Sequence, residues 1–177
     1  MGEIKEFTRE KLVIGILSTK IERTAELITA LTQRFGDIDY QSSFLDFNFT
    51  DYYTGEMGRD IKRFFLSFSE LVNPERLADI KIATNAIEEF FKENGKRRIN
   101  LDPGILSLGR FILATTKDNA HRLPLAKGIY GEITLMFKKK EFRPLEWTYP
   151  DYRTEAYRSI LKEIREIYLN LLKQKAL

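Results

Sequence analysis

The 177-residue chain contains no cysteine and one histidine, His121. The first absence removes disulfides, thiolate nucleophiles, thiolate metal sites and iron–sulfur clusters together. The second removes a multi-histidine zinc site and leaves a single imidazole base, with no serine in a nucleophile elbow to serve. Long apolar runs are missing too. None approaches the ~20 residues that cross a bilayer, and the apolar stretch at 12–17 is shorter than a signal-peptide core and follows acidic residues. A cytoplasmic protein that does not enter a membrane is the expectation. There is no G-x-x-x-x-G-K-[ST] and no G-x-G-x-x-G, so nucleotide chemistry built on a backbone phosphate cradle is excluded. Charge of one sign is scarce: the net charge is +3, and the basic runs at 138–140 and 96–98 are short. That argues against nucleic acid, whose binders carry a longer basic stripe or interleaved aromatics.

What remains is the composition of a folded chain, 43% hydrophobic and 31% charged. "KLVIGILS" (11–18) is apolar on both faces and rich in β-branched residues, which suits a central strand. Thr19 with Glu22 forms a capping box, followed by Ile21, Leu27, Ile28 and Leu31 at helical spacing and a stop at Gly36. Residues 40–48 alternate and predict a strand, as does "KRFFLSFSEL" (62–71). Asn73-Pro74-Glu75 opens a second helix that Asn94-Gly95 ends. Next come a short strand, a type II turn at Asp102-Pro103-Gly104 and a strand from Arg110. A strand follows at 128–139, then an amphipathic helix over 154–173. The reading is one α+β domain spanning 1–177, a ferredoxin-like βαββαβ sandwich with an added C-terminal β-hairpin and a long helix.

Two stretches carry the candidate chemistry. In "LATTKDNAHRLPLAKGIYGEITL" (113–135) the strands on either side bring Thr115, Thr116, Tyr130 and Glu132 toward Lys117, Asp118, His121 and Arg122. Lys117, His121 and Arg122 are donors suited to a phosphate or carboxylate. His121 and Glu132 are the catalytic candidates, with Glu132 orienting the imidazole or acting as a base. The bland alternative is a wet connection. In "FTDYYTGEMG" (49–58), Asp51 and Glu56 could share a Mg²⁺ ion; the alternative is an aspartate-capped turn. "WTYPDYR" (147–153) reads as an aromatic clamp, with Tyr149, Tyr152 and Arg153 alternatively walling a pocket.

Five phrases in the same order, "FTDYYTGEMG", "KRFFLSF", "RRINLDPGILSL", the 113–135 stretch and "WTYPDYR", resemble the family of prokaryotic proteins called domain of unknown function 4416. The resemblance runs from about residue 12 to the final helix and implies a short chain of one domain. It implies no activity, metal or cofactor; it marks Asn100, Asp102, Trp147, Tyr149 and Asp151 as positions to test, beside those named above. The functional expectation is an anionic small molecule, a nucleotide or phosphorylated metabolite, held by Lys117, Asp118, His121, Arg122, Tyr130, Asp51, Glu56 and Arg153. The alternative is a non-enzymatic module that self-associates or docks a partner through a sheet edge or the last helix.

Overall fold

A computed structural model describes residues 2–175. In chain order the elements are β1 (Glu10–Ser18), α1 (Thr24–Phe35), β2 (Ile38–Gln41), β3 (Leu45–Asp46), the single turn α2 (Thr54–Met57), β4 (Lys62–Val72), α3 (Leu77–Phe90) and β5 (Ile99–Leu106). They continue as β6 (Arg110–Thr115), β7 (Leu123–Ala126), β8 (Ile129–Lys138), β9 (Glu141–Pro144) and α4 (Glu155–Lys175). All nine strands join one antiparallel sheet of order β2-β4-β1-β5-β6-β8-β7, with β3 on β4 and β9 on β8. The class is α+β.

The sheet is covered on both faces, which is why β1 is apolar from Leu12 to Leu17. Leu12, Ile14 and Ile16 point to one side, where they meet Leu27 and Leu31 of α1 and Ile80 of α3. Val13 and Phe65 point to the other, where Tyr157, Leu161, Ile164 and Tyr168 of α4 close the layer. Every residue of β1 is buried. Tyr168 also donates its hydroxyl to the Arg9 carbonyl at 2.7 Å, tying the last helix to the first strand.

Four local expectations need correction. The capping box at Thr19 does not form, because the Thr19 hydroxyl donates to the Met57 carbonyl at 3.1 Å; a 3-10 turn at Ile21–Arg23 intervenes and α1 starts later. The predicted strand at 40–48 is broken at Ser42, whose Oγ accepts from the Phe65 N–H at 2.9 Å in place of a backbone carbonyl. There is no turn at Asp102-Pro103-Gly104: these residues run straight through β5, paired with Gly15, Ile14 and Val13. Pro103 is tolerated because β6 pairs with β5 only from Gly104 onward. Gly104 is there for space, since a Cβ would lie 2.6 Å from the Ile112 carbonyl oxygen. Finally, the addition after β5 is four strands rather than a hairpin, with the short β7 hidden in the 116–128 connection.

Register places one set of strand ends together. Ser18 lies opposite Lys62 and Ile99, and Thr115 opposite Tyr130. The end of β1 and β6 and the start of β4, β5 and β8 therefore form one rim.

Candidate functional site

That rim is a cleft of about 770 Å³, within the ~300–1,000 Å³ typical of small-molecule sites. Its walls come from seven stretches of the chain. Phe47, Phe49, Tyr52, Tyr53 and Glu56 form one wall; Lys81, Asn85 and Glu88 of α3, with Lys92 just beyond its end, form another. Arg97, Asn100 and Asp102 lead into the floor beside Arg63; Thr115, Thr116, Lys117 and Glu132 supply a third wall; Tyr149, Asp151 and Tyr152 close the last.

A continuous polar chain lines the floor. Arg97 donates to Glu56 Oε2 at 2.7 Å and to Asn100 Oδ1 at 2.9 Å, and Asn100 donates to Asp102 Oδ1 at 2.7 Å. Arg63, 2% exposed, donates to Asp102 Oδ2 at 2.9 Å and to Asp151 Oδ2 at 3.3 Å. A buried guanidinium is tolerable because both carboxyls bond it and Gly15 makes room. A Cβ at Gly15 would stand 2.9 Å from both Arg63 Nη1 and the Tyr152 hydroxyl. From α3, Lys81 donates to the Leu101 carbonyl at 2.8 Å and Glu88 accepts from the Leu101 N–H at 2.7 Å.

The two carboxyls beside Arg63 are driven apart. Burial opposes ionisation of Asp102, but Arg63 and Lys81 overcome it and hold its carboxyl below the ordinary range. At Asp151 burial wins over Arg63, with the Asp102 charge assisting, and the carboxyl is raised. Burial likewise raises Glu88, against the pull of Lys81, and raises the Tyr53 and Tyr149 phenols.

The third wall is set from behind. Glu132, 1% exposed, has its Oε2 bonded by Arg122 Nε at 2.9 Å and in contact with His121 Nε2 at 3.0 Å. The His121 ring stacks on Trp147 with centroids 5.2 Å apart. Arg122 also donates to the Lys117 carbonyl at 2.9 Å and the Tyr149 hydroxyl at 2.6 Å, so one guanidinium braces three parts of the wall. Lys117 reaches across the mouth, its ammonium 3.1 Å from the Tyr52 hydroxyl and 4.3 Å over that ring. The 51–58 segment and the 117–132 connection therefore meet in space.

Of the residues singled out from sequence, Lys117, Glu132 and Glu56 stand in the cleft wall, as do Thr115, Thr116, Asn100, Asp102, Tyr149, Asp151 and Tyr152, while Trp147 does not. His121 and Arg122 stand behind it, holding Glu132. Asp51 and Asp118 are exposed and outside the lining. Tyr130 is half-buried on β8 and also outside it, opposite Thr115 and Pro124. Arg153 donates to the Thr148 and Glu146 carbonyls, both at 2.7 Å, and so pins the turn before α4 rather than lining the cleft. Glu56 is engaged by Arg97, and among the described residues no three His, Cys, Asp or Glu side chains gather as a metal-ligand set.

Sequence reasoning missed Arg63, Arg97 and the α3 residues. Lys81, Asn85 and Glu88 recur four and three apart, a polar stripe along one helix face that could have been read. Gly15, isolated within a strand, was the signal for a close approach. Arg97 and Arg98, read as a basic patch, are paired with Glu56 and Glu93.

Together these features define an α+β protein whose antiparallel sheet opens at one end into a braced, polar and aromatic cleft. A family model described as Domain of unknown function (DUF4416) matches residues 8–168, so the chain belongs to that family. No curated protein and no solved structure matches the chain. Among the described residues, no helix is long and apolar enough to cross a membrane.

Proposed function

We propose that the protein binds a small molecule in this cleft through one anionic group held at Lys117. Lys117 carries the reading. Every other basic side chain of the lining has a carboxylate partner: Arg63, Lys81, Lys92 and Arg97 pair with Asp102 and Asp151, Glu88, Glu89 and Glu56. Lys117 has none among the described residues, and it sits at the mouth over an aromatic ring. Six carboxyl groups face five basic side chains around the cleft. That balance favours a ligand with a single negative charge over a triphosphate, whose charges would meet the carboxylates. The walls of Tyr52, Tyr53 and Tyr149 suit a planar or apolar portion.

The same reading takes β5-β1-β4-β2 with α1 and α3 as a ferredoxin-like core, and takes the protein to be cytoplasmic. A second reading, self-association through β7, is favoured by one feature: Leu123 and Leu125 on that edge strand are 66% and 45% exposed.

Melting temperatures of the wild type and Lys117→Ala, measured with inorganic phosphate, nucleoside mono- and triphosphates and small carboxylates, test the proposal. A ligand at ~100 times its Kd adds ~2.7 kcal/mol, worth several degrees at this size. A monoanion should shift the wild type more than a triphosphate does, and Lys117→Ala should lose the shift. No shift with any compound, or equal shifts in both proteins, overturns the reading.

A further inference from the structure

Three of the cleft's buried side chains have polar atoms without a partner: Arg63 Nε, the Tyr152 hydroxyl and Glu132 Oε1. Buried polar groups are bonded as a rule, so each such vacancy asks for an explanation. Glu132 is the most telling. Both of its protein partners, Arg122 and His121, crowd onto Oε2, leaving Oε1 unused in a residue that is 1% exposed and forms part of the cleft wall. A carboxylate oxygen can only accept, so what is missing beside it is a donor. The neighbourhood is shared with Lys117, since Arg122 grips the Glu132 carboxylate and the Lys117 carbonyl at once. An acceptor and an unpaired cation therefore stand on the same braced wall.

We infer that Glu132 Oε1 receives an N–H of the ligand's ammonium group, and that the ligand is a small zwitterion with its amine at Glu132 and its oxyanion at Lys117. This rests on the cleft being the ligand site. Once Arg122, which bonds Glu132 from behind, is counted, the six carboxyls of the lining face six basic side chains; a zwitterion leaves that balance unchanged, whereas a simple anion disturbs it. A charge-assisted bond at Oε1 also fills a vacancy that a hydroxyl would fill less strongly.

Calorimetric titration with matched probes reads this directly. Phosphoethanolamine is compared with ethyl phosphate, and β-alanine with propionate, on the wild type, Glu132→Gln and Lys117→Ala. Phosphocholine serves as a third probe, keeping the positive charge but carrying no N–H. On the wild type the amine-bearing member should bind about tenfold tighter than its mate, a gap of ~1.4 kcal/mol, and phosphocholine should lose that gain. Glu132→Gln should erase the gap while ethyl phosphate binding persists; Lys117→Ala should weaken both members. Equal affinity of amine and amine-free probes, or a gain retained by phosphocholine, overturns the zwitterion and leaves the anion site standing. Binding by no probe overturns both. Should Glu132→Gln fail to fold, the three-probe comparison on the wild type decides alone.

Discussion

Arg63 is held between two carboxyls whose ionisation responds oppositely to their surroundings, and this has a signature in pH. The Asp102 carboxyl is held below its ordinary value of 3.8, so the folded state binds fewer protons there than the unfolded chain. Its stabilisation is present above that value and is lost as pH falls through the folded pKa. Asp151 is raised by burial, so its contribution has the other sign and is lost as pH rises through its folded pKa. Urea midpoints of the wild type, Asp102→Asn and Asp151→Asn across acid pH test this. Asp102→Asn should cost about 1–3 kcal/mol near neutrality, a gap that narrows below about pH 4. The gap to Asp151→Asn should instead narrow as pH rises. Parallel curves would contradict the assignment. Asp102 illustrates why such a residue is hard to read: Asp-Pro-Gly has the wording of a turn, and only the partners of β5 show it to be a strand. Lys117 and Glu132, by contrast, were legible because they flank one short connection.

Elements were legible where local chemistry decides them. Asn73 caps the 3-10 turn Pro74–Arg76 that leads into α3, its Oδ1 accepting from the Glu75 N–H at 3.1 Å, and Gly36 ends α1 at φ 90°. They were illegible where a distant partner intervenes, as Phe65 does at Ser42 and Met57 at Thr19. The β8–β9 turn is a case where the sequence is poorly matched to its own backbone. Lys139 and Lys140 have φ of 52° and 65°, the left-handed region that Asn and Gly adopt most cheaply. Lys139→Asn combined with Lys140→Gly should therefore stabilise the protein by about 1 kcal/mol, raising the melting temperature by roughly 2–4 °C. Ligand binding should be untouched. An unchanged or lower melting temperature would show that the turn carries no such strain.

At the scale of the whole molecule, the cleft exists only because a nine-stranded antiparallel sheet, covered on both faces, brings distant stretches of the chain to one rim. No spacing in the sequence announces that Arg97 meets Glu56 or that Lys117 meets Tyr52; register and the long return through β6 and β8 do that. The central claim is that this rim is the ligand site. Backbone amide chemical shifts of the isotope-labelled chain, followed as the most stabilising small molecule is titrated in, test it most directly. The account predicts that the shifts gather at 52–56, 97–102, 115–117, Glu132 and 149–152. Shifts confined to β7 and the neighbouring exposed surface, with those five stretches unmoved, would contradict it.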